Sequence, residues 1–416
     1  MTEFQPGDLV EVKKGGKRYT GILMPRSELA DDRHVVIKLD SGYNIGIGLE
    51  GADIMVISRK KDISPPAGEA EQAGSGKRVV LMGTGGTIAS KIDYRTGAVH
   101  PSFSARELVQ AVPELAGLAE LDCRLLFNIL SENMEPDYWK RIAEECAQAL
   151  NGGAEGVVIA HGTDTMGYTA AALSFMLEDL TKPVVLVGSQ RSSDRPSSDS
   201  SGNLIAAVRV ALSDLSGVYV VMHGTSSDSH CDIHLGTRVR KMHTSRRDAF
   251  RSINASPIGR VKEEVEFLQD HPRRREGRVR ANTKLEDRVA IFKIYPGVSA
   301  QLFESLLDRY RGIVIEGTGL GHVPENLLPA IDKAREKGIP VVMTSQTLYG
   351  RVDMKVYSTG RELLKRGVIS GQDMLPETAY VKLMYVLGQT DDYDKVKGLM
   401  ETNLWGEISD RTVYHD

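Results

Sequence analysis

Short, wholly apolar runs recur through this 416-residue chain, and most end in a turn rich in small or polar residues. Gly156–Ala160 (GVVIA), Pro183–Gly188 (PVVLVG) and Gly217–His223 (GVYVVMH) carry no inward/outward alternation. A strand that is apolar on both faces has to be covered on both faces. The segments between these runs read as helices: about 137–150, a helix running to about 180, and about 203–214. Strands are also expected at 78–82 and 124–129. Strand and helix in alternation predict an α/β fold of mostly parallel sheets, built as a two-domain core. The pattern resumes after a polar stretch, 246–287, with strands at 289–294, 312–316 and 340–344 and helices near 300–310, 324–337 and 377–387.

The first 60 residues follow different rules. Asp8–Val12, Tyr19–Met24, His34–Leu39 and Asn44–Ile47 are short β-branched runs separated by Gly15-Gly16, Pro25 and Ser41-Gly42, which predicts a small all-β barrel domain. Residues 61–77, rich in Pro, Gly, Ala and Glu without periodicity, read as a linker. The division expected is therefore 1–60, a linker at 61–77, an α/β domain at 78–287 with its polar insertion at 246–287, and a second α/β domain at 288–416. A net charge of −4 gives no global basic field for DNA or RNA. Three widely spaced cysteines argue against a disulfide framework, and no apolar leader or long apolar run is present; the expectation is a cytoplasmic protein without membrane contact.

Ligands of open α/β sheets bind outside the carboxyl ends of the strands, which directs attention to three loops. Gly83–Ser90 (GTGGTIAS) combines glycines, which allow close backbone approach, with the hydroxyls of Thr84 and Thr87. It fits neither a dinucleotide fingerprint, which needs glycine where Ile88 stands, nor a phosphate loop, which needs Gly-Lys-Ser/Thr; a tight turn with satisfied hydroxyls would explain it too. His161–Met166 (HGTDTM) places a hydroxyl beside a carboxylate, which serves either chemistry or helix capping. Gly236–Thr244 carries Arg238, Arg240 and Lys241, either a solvated basic face or the source of a lysine drawn into a dry site as a base.

Together, TGGTIA at Thr84–Ala89, HGTDTM at His161–Met166 and the downstream Lys241 resemble the bacterial-type L-asparaginase and glutaminase family from about Lys77 onward. The resemblance implies that Thr87 attacks an amide carbon, that Thr163, Asp164 and Lys241 form a second constellation, and that Asp164 holds the substrate's α-ammonium. Ser131 matches the position that binds the α-carboxylate. Glu132 stands where relatives carry glutamine or serine and is a further candidate acceptor. Tyr94 matches a loop tyrosine that helps activate the nucleophile. Gly86 and Gly162 line the substrate site. A threonine hydroxyl needs an adjacent base to become a nucleophile, and backbone N–H groups of the glycine loop supply oxyanion donors.

His223, His230, Cys231 and His234 raise a zinc reading, but no paired-cysteine spacing accompanies them, and the segment reads better as strand, turn and hairpin with polar residues near the rim. The added N-terminal module, the arginine-containing insertion around Arg273–Arg275 and the segment Ser189–Leu204 (SQRSSDRPSSDSSGNL) resemble the D subunits of archaeal glutamyl-tRNA(Gln) amidotransferases. That resemblance implies a glutaminase without a cofactor of its own. Its ammonia would pass to an E subunit that uses ATP and Mg and handles the tRNA, and the glutaminase itself would be a homodimer. An autonomous asparaginase and a non-catalytic RNA-binding scaffold are the alternatives.

Overall fold

The computed structural model describes residues 4–24, 33–39, 44–59, 76–85, 90–92, 99–101, 112–191 and 198–411. Five strands make up the N-terminal module: β1 (Leu9–Lys14), β2 (Lys17–Leu23), β3 (His34–Leu39), β4 (Asn44–Gly48) and β5 (Asp53–Ser58). They form one antiparallel sheet in the order β4-β3-β2-β1-β5. Val10, Val12, Leu23, Val35, Ile37 and Ile47 form its own buried cluster. Alternation along β1 sends Val10 and Val12 inward, as a one-sided sheet requires. β5 had no counterpart among the expected strands.

The large sheet holds β6 (Arg78–Gly85), β7 (Glu120–Ile129), β8 (Gly156–Ala160), β9 (Pro183–Val187), β10 (Gly217–His223) and β11 (Cys231–Leu235). A separate ladder pairs β12 (Val239–Lys241) with β13 (Phe250–Ser252). β14 (Gly259–Val261) and β15 (Val265–Phe267) return to the large sheet, whose order is β15-β14-β11-β10-β9-β8-β6-β7. From β7 to β10 every pairing is parallel; β11, β14 and β15 continue it antiparallel. These last strands fall partly in the stretch read as a polar interruption. β14 and β15 are short, with a charged residue between apolar ones (Gly-Arg-Val, Val-Glu-Phe), a pattern suited to an antiparallel edge with one face in water.

Helices cover both faces: α1 (Pro136–Asn151), α2 (Met166–Met176) and α3 (Ser200–Leu212). α1 buries Trp139, Ile142, Ala143, Cys146, Ala149 and Leu150, one stripe at helical spacing. A buried Ile or Leu side chain contributes about 1.5–3 kcal/mol. α2 is buried almost all round, because it packs against the sheet on one side and the second domain on the other. From sequence, the run Arg273–Arg275 reads as a solvated loop, as most runs of charge do, and Arg274 corrects that reading. Its guanidinium donates to the carbonyls of Ala211 and Ser213 at the end of α3 and pairs with Glu155, whereas Arg273 stays exposed. A cation there satisfies carbonyls that the helix itself leaves unpaired.

The second domain has a parallel sheet in the order β16 (Val289–Lys293), β17 (Gly312–Gly317), β18 (Val341–Ser345) and β19 (Ile369–Ser370). Its helices are α4 (Ala300–Glu304), α5 (Leu328–Glu336), α6 (Ser358–Lys365), α7 (Pro376–Gln389) and α8 (Tyr393–Glu401). The helix expected over 300–310 stops at Glu304. The Ser305 hydroxyl donates to the Leu302 carbonyl at 2.7 Å, the kind of local bond by which serine competes with helix continuation. No helix among the described residues is long and apolar enough to cross a membrane.

Behind α7, Lys382 and Glu407 form an ion pair of 2.6 Å with both side chains fully buried. The ammonium also donates to the carbonyls of Met400 and Thr402, and the carboxylate accepts from the amides of Leu404 and Trp405. Every polar direction is therefore used, and removing one partner alone strands a charge. Glu407→Ala is expected to cost about 3–5 kcal/mol in chemical denaturation. The double change Lys382→Met with Glu407→Leu should cost clearly less. A single variant as stable as the parent would contradict this account of the pair.

Candidate active site

The carboxyl ends of β6, β7 and β8 converge on one mouth, and backbone packing forces the convergence. Gly85, the last residue of β6, has φ +107°, and a Cβ there would run into the backbone of Ile129 at the end of β7. Only glycine tolerates both conditions. One residue before it, the Thr84 hydroxyl donates to the Ala160 carbonyl of β8 at 3.0 Å. Gly162 abuts Ser131: a Cβ on Gly162 would sit 2.6 Å from the Ser131 Cβ. The Thr165 hydroxyl donates to the Ser131 carbonyl at 2.7 Å, drawing the loop after β7 and the loop after β8 together.

Lys241 enters this mouth from β12. Its ammonium donates to the Thr163 hydroxyl and to Asp164 Oδ1, each at 2.8 Å. Thr163 is buried, the lysine side chain is 14% exposed and that of Asp164 is 67% exposed. The arrangement thus grades from a sheltered hydroxyl to a carboxylate facing solvent. With its oxygen accepting from Lys241, Thr163 keeps its own proton free to donate outward. Hydroxyl, ammonium and carboxylate thus lie in hydrogen-bond succession along the mouth. Within the basic run, Lys241 turns toward this mouth.

His161, to which sequence reading gave no role, underlies the loop. It is fully buried. Its Nδ1 lies 2.6 Å from the Gly162 carbonyl, which can only accept, so Nδ1 carries the proton. Nε2 then accepts from the Thr169 hydroxyl at 2.9 Å, and that oxygen accepts from Trp139 Nε1 at 3.0 Å. The chain Trp139–Thr169–His161–Gly162 fixes the backbone next to Thr163. Burial lowers the pKa of this imidazole to about 4. The signal in the sequence was a lone histidine leading the HGTDTM motif.

Ser131 is buried and beside Gly162, whereas Glu132 is exposed on the single turn Ser131–Asn133. Gly86, Thr87 and Tyr94 lie outside the described residues. Thr87 follows Gly85 by two positions; Tyr94 falls between Ser90–Ile92 and Val99–Pro101, which pair antiparallel.

The histidine and cysteine segment is committed elsewhere. His223 Nδ1 bonds the Asn203 side chain, while its Nε2 bonds Asp228, which also pairs with Arg247. His234 is buried within β11 and bonds Ser252, and burial pushes the Cys231 thiol up to about 12. His234 therefore belongs to the sheet interior rather than to a polar loop. No group of three metal-ligating side chains able to hold an ion occurs among the described residues. A cleft of about 1040 Å³ does open beside His223 and His230, facing the β14–β15 hairpin, but Lys241 takes no part in it.

Comparison with known proteins places this geometry. Residues 78–273 match the family described as Asparaginase, N-terminal, residues 288–400 the Glutaminase/Asparaginase C-terminal domain, and residues 4–57 the GatD N-terminal domain. The D subunit of the glutamyl-tRNA(Gln) amidotransferase of Thermococcus kodakarensis is 58% identical over 98% of this chain and 95% of its own length. The chain belongs to the D subunits of glutamyl-tRNA(Gln) amidotransferases. The D subunits of Pyrococcus furiosus (58% identical over 97% of this chain and 94% of their own) and Methanothermobacter thermautotrophicus (51%, 98% and 94%) are similar to it over nearly the same extent. Among solved structures, the thermostable L-asparaginase from Thermococcus kodakarensis superposes with a TM-score of 0.74 at 36% identity, covering 80% of this chain and all of that one. L-asparaginase I from Vibrio cholerae does so with 0.70 at 30%, with the same coverage. The core is thus an asparaginase-like α/β fold preceded by a β-rich domain.

His161 and His234 both have their pKa lowered to about 4 by burial. In the unfolded chain each regains a value near 6.5. Between those two values the unfolded state binds more protons than the folded one, so stability rises with pH across that window. Stability present at pH 6.5 and above should therefore fall as pH drops toward 4, by about 1.4 kcal/mol per pH unit for each histidine. Denaturant melts at pH 7, 6 and 5 test this, with ring-proton NMR to follow the two residues. Ring signals titrating near 6.5 in the folded protein would contradict it.

Proposed function

We propose that the chain hydrolyses the side-chain amide of glutamine through an acyl-threonine intermediate, and that the ammonia serves a partner protein that converts Glu-tRNA(Gln) to Gln-tRNA(Gln). The observation that carries this reading is the Lys241 ammonium held 2.8 Å from both Thr163 and Asp164 at the carboxyl mouth of β8. In the sequence of events, the Thr87 hydroxyl attacks the amide carbon and its proton enters the Thr163–Lys241 relay. Backbone N–H groups of the glycine loop, Gly86 among them, steady the oxyanion. The C–N bond breaks as the relay returns a proton to the departing nitrogen, giving ammonia. Water then cleaves the ester to release glutamate and restore Thr87. Asp164, exposed and anionic at the rim, suits an α-ammonium, with Glu132 as a second acceptor. Ser131 with Gly162 suits the α-carboxylate, and Tyr94 helps to activate the nucleophile.

Domain limits of 1–60, 78–287 and 288–416 around a linker at 61–77 are supported by the matched ranges 4–57, 78–273 and 288–400. Among the described residues no helix covers the N-terminal sheet, which buries a core of its own, and this supports a curled, partly open barrel. Work with an E subunit is supported by the relatives' designation as D subunits. Pairing with a second copy is supported by Tyr295, Tyr349 and Tyr357, all exposed, in the loops that follow strands or turns of the second domain. Autonomous asparagine hydrolysis is the second reading, favoured by the likeness to solved asparaginases. One methylene is worth only about 1–3 kcal/mol in a pocket, so the two substrates have to be separated by measurement. A scaffold that has lost catalysis would have no use for the Lys241–Thr163–Asp164 geometry.

Steady-state hydrolysis of glutamine and asparagine by the chain, alone and with its partner and Glu-tRNA, tests the proposal. Glutamine should be preferred, and turnover should rise with partner and Glu-tRNA. Asparagine turnover that is faster and indifferent to both supports the second reading. Thr87→Ala should reduce turnover roughly 10³-fold or more, and Lys241→Met roughly 10²–10⁴-fold. Full activity in either variant rejects the assignment.

A further inference from the structure

β12 is a strand of three residues that touches two domains through alternate side chains. Lys241 reaches Thr163 and Asp164 of the first domain. Arg240, pointing the other way, pairs with Glu377 in the first turn of α7, Nη2 to Oε1 at 3.1 Å. Just before the strand, Arg238 is 1% exposed and committed to the second domain and the C-terminal tail. It donates to the Gly406 carbonyl at 2.7 Å, to Asp373 Oδ2 at 3.0 Å and to Ser409 Oγ at 2.7 Å. Thr237 donates to the Trp405 carbonyl and its own carbonyl accepts from Thr378. On the first domain's side, β12 is held through its ladder to β13 and the core residue Val239.

A three-residue strand has little rigidity of its own. A lysine side chain has a long, flexible stem, so holding its nitrogen at 2.8 Å from two acceptors requires a fixed backbone origin. Arg238 fixes the start of the segment. Among the described residues of the second domain, the Arg240–Glu377 pair holds its end most directly, one residue from Lys241.

We infer that Arg240 and Glu377 are positioning residues for Lys241, setting the reach of its nitrogen to Thr163 from the second domain. The pair touches neither Thr163 nor Asp164, so it acts on the chemical step through Lys241 alone. This inference rests on the reading of Lys241 as part of the proton relay, and the test separates the two.

The experiment measures kcat and KM for glutamine in the full chain with its partner, together with the melting temperature, for Lys241→Met, Arg240→Met, Glu377→Gln and the swapped pair Arg240→Glu with Glu377→Arg. Tyr385→Phe, which removes a different bond between the domains (to Glu178), serves as control. Arg240→Met and Glu377→Gln are each expected to lower kcat about tenfold or more while KM stays within about twofold. The swap should restore at least roughly a third of kcat, and Tyr385→Phe should leave kcat within about twofold. Full kcat in Arg240→Met or Glu377→Gln, with Lys241→Met inactive, overturns the positioning role alone. Full kcat in Lys241→Met overturns both readings. A fall in kcat that tracks melting temperature equally in Tyr385→Phe and Arg240→Met, without rescue by the swap, reduces the pair to general stability and also overturns it.

Discussion

Arg238 carries a permanent charge into the protein interior, and the way that charge is satisfied ties the backbone leading to Lys241 to the second domain. A guanidinium cannot be neutralised by losing its proton, so burial demands a full set of acceptors. Here these come from Asp373, Gly406 and Ser409, all of them in the second domain or its tail. Asn254 strengthens the same node by donating to the carbonyls of Asp373 and Gly350. Three residues on, β12 presents Lys241 to the first domain. The two domains are therefore joined through the backbone that aims the lysine, and not merely through apolar packing beneath it.

Much of this was legible in the sequence where burial is complete. Gly156–Ala160 and Pro183–Val187 are apolar throughout because they are covered on both faces, and they read as parallel strands at once. The loop after Gly156–Ala160 was legible as a place of interest as well, although its Thr163 and Asp164 read equally as helix-capping residues. The antiparallel extension was harder to see. β14 and β15 are three residues each, and their outward charges resemble those of any polar loop. Arg274 and Arg238 were misread or left open for a related reason. A charge run is usually solvated, and only tertiary structure shows that one arginine closes the end of α3 and another is sealed beneath the C-terminal tail.

His161 shows a different limit. Its type and place in the motif were visible, but its work depends on Thr169, within the helix that follows, and on Trp139, in the helix before. Hydrogen-bond chains of this sort set a tautomer and hold a loop without leaving any periodic mark. The same applies to Ser131 and Gly162, whose close approach is decided by how β7 and β8 end.

The order of synthesis gives the Arg238 node a further meaning. Thr163, Asp164 and Lys241 are all translated well before the second domain begins, and the large sheet that displays them is complete soon after. The acceptors for Arg238 arrive with Asp373, Gly406 and Ser409, 135 to 171 residues further along the chain. Until then the lysine-bearing strand is held from the first domain's side, through its ladder to β13 and through Val239. A growing chain thus carries Lys241 long before the acceptors that fix the base of its strand have been made.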